Sequence, residues 1–201
     1  MIRLLRIPIL LMAASGLIAS SASILLASEA GMKPSTVSQD KLQAGLSVLY
    51  IRSFRHRHLD KLPIGEWLKE RGRPGKPIPY LNHSFGKGIV FDSGTRTLVG
   101  LHMTGYIHLA ESGEYQFKAF VNDGIRVFIS EQLIVDEPEW DPDGDRYTEI
   151  GKASISETGW YPILIRYFQR KGTATVKLYW KKPGDKDFSV IPEAAYAHEP
   201  S

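Results

Sequence analysis

Between Ser112 and Asp136 apolar and polar residues alternate, the period that sends successive side chains of an extended strand to opposite faces. Tyr115, Phe117, Ala119 and Val121 share one face, and Glu114, Gln116, Lys118 and Phe120 share the other. Asn122-Asp123-Gly124 follows, and Ile125, Val127 and Ile129 then resume the alternation. Asn, Asp and Gly tolerate positive φ, so this stretch predicts a tight hairpin. Ser130-Glu131-Gln132 predicts a second one, leading into Leu133, Ile134 and Val135. Short strands are predicted at Ile89–Phe91, Thr97–Val99 and Tyr106–Leu109. A long pair is predicted at Tyr161–Phe168 and Ala174–Trp180, joined by the polar hairpin turn Gln169-Arg170-Lys171-Gly172. In that pair Ile163, Ile165 and Tyr167 face Val176, Leu178 and Trp180. Strands recurring at this spacing predict an all-β body. The sequence shows no repeat of the kind that builds a solenoid or propeller.

Upstream the pattern changes. Leu59, Leu62, Trp67 and Leu68 predict a short helical or irregular excursion. Residues 71–88 hold Pro74, Pro77 and Pro79 among glycines and predict a long loop. Residues 31–44 are polar, with little periodicity, and predict a tether; the β body is expected over 45–198.

Arg3 and Arg6 precede an uncharged run of 22 residues, Ile7 to Ser28. That length matches the roughly 20 residues needed to cross a bilayer as a helix. A basic start, an apolar centre and the small residues at Ser28-Glu29-Ala30 also suit a cleavable signal peptide. The expected arrangement is one N-terminal hydrophobic helix over 1–30, retained as a signal anchor or removed as a signal. Either way Arg3 and Arg6 hold the start in the cytoplasm and send the rest to the periplasm or the cell exterior. The expected location is therefore membrane-anchored, or secreted after cleavage. The bilayer and other proteins of a membrane complex are the expected partners.

Taken in order, several short motifs resemble the PA14 domain, a β-sandwich module of toxins, glycosidases and adhesins. They include Gly45-Leu46, Met103-Thr104-Gly105-Tyr106-Ile107, Gly113-Glu114-Tyr115-Gln116-Phe117, Asn122-Asp123-Gly124, Gly159-Trp160-Tyr161-Pro162-Ile163, Leu178-Tyr179-Trp180 and Ile191-Pro192. The resemblance spans about Gly45 to Tyr196 and implies an antiparallel β-sandwich. In lectin-type members it further implies that two consecutive Asp residues joined by a cis peptide hold Ca²⁺, which then binds sugar hydroxyls. Here Asn122 stands at the first of those positions, so one negative charge is missing. Hard oxygen ligands suit Ca²⁺, and a calcium reading would take Asn122 and Asp123 together with Asp141, Asp143 and Asp145. The plain reading is a turn in which Asn122 and Asp123 cap backbone amides and the Asp141–Asp145 loop is solvated. An EF-hand is excluded, because the twelfth position counted from Asp141 is Lys152, not Glu.

Composition narrows the function further. The chain has 201 residues, 43% hydrophobic, with 18 Gly and 12 Pro, enough for one turn-rich β domain with a real core. It has no Cys, which excludes disulfides, thiolate metal sites, thiol catalysis and a lipoprotein anchor. A net charge of +3 does not by itself imply nucleic acid. His56 with His58, and His102 with His108, are spaced to share a strand face, but a zinc site needs three or four converging ligands. Gly86-Lys87-Gly88 lacks the context of a phosphate loop. The sequence carries no nucleophile elbow and no His-Glu-x-x-His, so a non-catalytic module is expected. Basic residues crowd the stretch from Arg52 to Lys76. Arg52, Arg55, Arg57, Arg71 and Arg73, with Trp67 as an aromatic anchor, are the candidate partner contacts; anionic headgroups are an alternative target for them. Two functions remain: an accessory or stabilising subunit of a larger membrane complex, without a cofactor, and a Ca²⁺-dependent carbohydrate-binding module.

Overall fold

The computed structural model describes residues 31–200. In chain order its strands are β1 (Gln43–Ala44), β2 (Ser47–Arg52), β3 (Arg73–Pro74), β4 (Asn82–Gly86), β5 (Val99–Leu109), β6 (Gly113–Asn122) and β7 (Gly124–Ile129). They continue as β8 (Gln132–Glu137), β9 (Arg146–Tyr147), β10 (Gly151–Ile155), β11 (Gly159–Gln169), β12 (Ala174–Lys181), β13 (Ser189–Val190) and β14 (Tyr196–His198). One helix, α1 (Gly65–Arg71), lies between β2 and β3. The first sheet runs β1-β14-β5-β11-β7-β8, with β2 also on β5 and β3 on β2. The second runs β10-β6-β12-β13, with β4 on β12 and β9 on β6. All strand pairs are antiparallel.

The inner faces meet in one apolar core, as the alternation predicts. Tyr115, Phe117, Ala119 and Val121 of β6 and Val176, Leu178 and Trp180 of β12 face Ile125, Val127, Ile129, Ile163, Ile165 and Tyr167 of the other sheet. Burying a large aliphatic or aromatic side chain stabilises by about 1.5–3 kcal/mol, so these rows define the sandwich. The β7–β8 hairpin turns at Ser130 and Glu131, both at positive φ (46° and 67°), with Ile129 opposite Gln132. That is the conformation a two-residue hairpin needs.

Two other predicted hairpins are arches between layers. Asn122-Asp123-Gly124 carries the chain from β6 in the second sheet to β7 in the first, and residues 170–173 carry it from β11 in the first to β12 in the second. Alternation reveals which face of a strand is buried, but a hairpin and an arch bury the same face. The predicted strands at Ile89–Phe91 and Thr97–Leu98 are irregular, because Phe91 and Leu98 sit at positive φ (47° and 56°); β5 begins only at Val99. The loop expected over 71–88 contains β3 and β4 and a buried Ile78, whose backbone exchanges two hydrogen bonds with Leu46. Residues 31–44, expected as a tether, lie against the sandwich. The Met32 N–H donates to Ser154 O (2.8 Å), the Tyr161 hydroxyl donates to Met32 O (3.0 Å), and Met32 is buried beside Ile155. No helix among the described residues is long and apolar enough to cross a membrane. The N-terminal helix expected over 1–30 lies outside the described residues.

The first sheet is also covered on part of its outer face. Phe54, Leu59, Leu62 and Leu68, from the excursion between β2 and β3, pack with Ile51 and Phe168 in a second apolar cluster. Gly100 admits this cover: a Cβ there would lie 2.1 Å from Leu62 Cδ1. Under its edge runs one cross-strand row, Leu49, His102, Arg166, Arg126 and Asp136. Arg166 is buried and donates to the carbonyls of Leu59 (3.1 Å) and Leu62 (2.6 Å). Arg126 pairs with Asp136 and Asp60. His102 has no carboxylate opposite it in this row, and burial, with Arg166 beside it, pushes its imidazole down to about 4.

His102 should therefore make the fold acid-sensitive. Between about pH 6.5 and 4 the unfolded chain binds a proton that folded His102 refuses, so the contribution of His102 to stability rises with pH across that window and is lost on acidification. Urea unfolding at pH 4.5 and 7 should show His102→Gln losing less stability on acidification than the parent, by up to roughly 3 kcal/mol. Equal losses in both proteins would rule out this origin.

Candidate functional site

The excursion between β2 and β3 places four of the six predicted contact residues together. Arg52, Arg71, Arg73 and Trp67 line a groove of about 550 Å³, with Ile51, Phe54 and Pro63 as apolar lining. Lys61 adds a fourth cation, and Glu70 is the single carboxylate in the lining. Helix α1 is short and fixed mainly by Leu68, its one buried residue, which leaves Trp67 62% exposed. The Arg71 guanidinium lies 5.0 Å from the Trp67 ring, a cation–π contact that orders both side chains. Arg52 is held by an Nε–H bond to Ser93 O (2.8 Å). The groove thus combines positive charge, a concave surface and an exposed indole.

Arg55 and Arg57 go to a neighbouring cluster. The Arg57 guanidinium lies 4.7 Å from the Trp140 ring and that of Arg170 lies 5.0 Å from it. The Trp140 N–H donates to Arg57 O (2.8 Å), and Arg170 Nε–H reaches Arg55 O (3.4 Å). Segment 55–57 is therefore stitched to the loop after β8 and to the β11–β12 arch. Arg170 and Trp140 do not stand out as a pair in the sequence, because they are thirty residues apart and meet only where the β11–β12 arch approaches the loop after β8.

The Asn122–Asp123 arch belongs to the same end. Its peptide bond is cis, as in the lectin-type pattern. Both residues are buried. The Tyr167 hydroxyl donates to Asn122 O, and Asn122 Nδ2 points to Thr173 Oγ1 (3.4 Å). Asp123 Oδ2 accepts from the Arg170 N–H (2.5 Å), while Oδ1 has no hydrogen-bond partner among the described residues. Burial pushes the Asp123 carboxyl up to about 6, against the opposing pull of backbone N–H groups and of Arg146 and Arg170.

The remaining acidic candidates are engaged elsewhere. Asp141 Oδ2 lies 3.2 Å from Arg146 Nη1, and Asp141 Oδ1 accepts from the Asp143 N–H (2.7 Å). Asp145 Oδ2 accepts from the Thr175 hydroxyl (2.9 Å). Arg146 also donates to Glu137 Oε1 (3.0 Å) and Glu139 O (3.2 Å). Among the described residues no group of three or more His, Asp or Glu side chains is placed to hold a metal ion. A calcium ion needs several convergent, negatively charged oxygens. A neutral Asn122, a buried Asp123 facing two guanidinium groups, and an Asp141 paired to arginine do not fit that need. The histidines stay apart: His108 stacks on Trp160 (4.8 Å), and His56 lies against Phe54 (5.4 Å).

The sequence pattern of the PA14 domain matches residues 83–194, more than half of the chain. The chain belongs to the PA14 domain family. A curated relative of this PA14 chain, the anti-sigma-I factor RsgI3 of Acetivibrio thermocellus, is 31% identical over 88 residues. That match takes in 44% of this chain and 13% of the relative. Among solved structures, an anti-sigma factor domain-containing protein from Clostridium clariflavum superposes with a TM-score of 0.63 at 22% identity, covering 79% of this chain and 49% of that one. The PA14 sugar-binding domain of an RTX adhesin superposes with a TM-score of 0.53 at 15% identity, covering 77% and 98%. The structural neighbours share the fold; this chain spans about half of the Clostridium protein and a small part of the curated relative.

Tyr167→Phe tests the arch. It removes one buried hydroxyl and leaves Asn122 O without that donor, which should cost about 1–2 kcal/mol in chemical denaturation. An unchanged midpoint would mean that the arch does not rely on this bond.

Proposed function

We propose that this PA14 domain is a non-catalytic interaction module on the outer side of a membrane, tethered through its N-terminal segment, and that it braces a larger membrane assembly by docking an acidic protein surface. The observation that carries this reading is the Trp67 groove, where four cations face one carboxylate beside a largely exposed indole. Interface energy concentrates in such places: Trp and Arg dominate hot spots, and complementary charge sets orientation and on-rate. The tether draws its support from the sequence, in the charge-free run after Arg3 and Arg6. The resemblance to anti-sigma factor proteins supports a PA14 module working as one part of a larger chain or assembly.

The second reading, glycan binding, is supported by the likeness to a PA14 sugar-binding domain. Its calcium-dependent form is the weaker of the two, because the Asn122–Asp123 arch is buried against arginines. Calorimetry with Ca²⁺, followed by a glycan array with and without chelator, distinguishes it from docking.

Gentle detergent extraction of native membranes should recover the protein in a complex at low ionic strength. Replacing Arg71 and Arg73 by Glu should weaken that association at least about tenfold and flatten its salt dependence, with an unchanged far-ultraviolet circular dichroism spectrum. Recovery of the parent protein as a lone monomer would defeat the proposal.

A further inference from the structure

The lectin-type resemblance brings calcium to the loop end of the sandwich, and the residues there do not fit it. We infer that the guanidinium of Arg146 is the resident cation of this end, so that the arch and the acidic loop are held without a divalent metal. Three observations converge on that side chain. Its Nη2 donates to Glu137 Oε1 (3.0 Å) at the end of β8 and to Glu139 O (3.2 Å). Its Nη1 stands 3.2 Å from Asp141 Oδ2, close enough for an ion pair though outside hydrogen-bond geometry. Its positive charge also pulls on Asp123, the one carboxylate of the arch, against the effect of burial.

The position follows from the fold. Residue 146 pairs with Val121 of β6, one step before Asn122. The preceding residue, Asp145, is tied to Thr175 of β12, whose register partner is Asn122. The loop after β8 must therefore return across the arch, and it delivers a guanidinium where the acidic side chains gather. The Arg146, Glu137 and Asp141 side chains are only 21%, 28% and 25% exposed, so bulk water screens them weakly. A guanidinium suits this place because its planar fork serves two acceptors at once and stays charged when partly buried. A second guanidinium, that of Arg170, also acts on Asp123 and stacks on Trp140. Whatever this end recognises, it is therefore expected to recognise in the presence of chelator.

The test uses the full chain, melted in millimolar CaCl₂ and in EDTA, with calcium titration followed by calorimetry. The parent should melt at the same temperature in both and give no binding heat. Arg146→Gln, which strands Glu137 and Asp141, should melt roughly 5 °C or more lower, and calcium should restore part of the loss. Arg146→Lys, which keeps the charge but loses the planar fork, should fall between the parent and Arg146→Gln. Adding Glu137→Gln to Arg146→Gln should recover stability without any metal. A one-to-one calcium heat with a raised melting temperature in the parent overturns the inference, as does an Arg146→Gln protein as stable as the parent. If Arg146→Gln does not fold, the calcium arm on the parent and the milder Glu137→Gln variant still decide.

Discussion

From Arg166 to Gln169 strand β11 is buried on both faces, and much of the molecule is arranged around that constraint. Its inner residues Tyr161, Ile163, Ile165 and Tyr167 belong to the interlayer core, as in any sandwich. Its outer residues Arg166 and Phe168 are buried as well, under the excursion between β2 and β3. An arginine placed there needs acceptors, and the carbonyls of Leu59 and Leu62 supply them. A neutral backbone thus solvates the charge, at a geometry that only a chain turning back over the sheet provides. The same turn fixes where Trp67, Arg71 and Arg73 emerge. The groove is a by-product of covering β11.

The inner faces of the main strands were legible from the sequence because burial on one face leaves a period of two. Every inward residue named for β6, β7, β11 and β12 is buried. Connectivity was less legible. Asn122-Asp123-Gly124 and the Gln169–Gly172 turn have hairpin chemistry, yet both bridge the sheets, since local turn preference does not encode which sheet the next strand joins. Gln169 is a good marker of the difference. It looks like a solvated turn residue, but it is buried, and its side-chain amide donates to Lys171 O and Thr173 O, filling the arch from within. Phe91 and Leu98 interrupt apolar runs through positive φ, a conformation no composition rule assigns to such residues.

The candidate site was legible in part. A dense run of basic residues around one Trp is visible in any reading of residues 52–73, and four of the six residues singled out do line one groove. Their division from Arg55 and Arg57 was not visible, because it depends on Trp140 and Arg170, brought in by two distant loops. The acidic loop was ambiguous for a related reason. Counting Asp141, Asp143 and Asp145 suggests cation ligands, but the cation that answers two of the nearby acidic groups, Glu137 and Asp141, is Arg146, the residue directly after the last Asp.

Electrostatics then separates two ends of one surface. In the groove, Arg52, Lys61, Arg71 and Arg73 share the lining with one carboxylate, Glu70, so positive charge is in excess there. At the arch, Arg146 is matched by Glu137 and Asp141, and Arg170 is spent on Trp140 and on the backbone amide it gives to Asp123. Unmatched charge on a concave surface attracts over a Debye length, whereas matched charge mainly holds its own loops in place. The excess positive charge lies on the excursion, which covers part of the outer face of the first sheet and is anchored to β11 by Arg166 and Phe168.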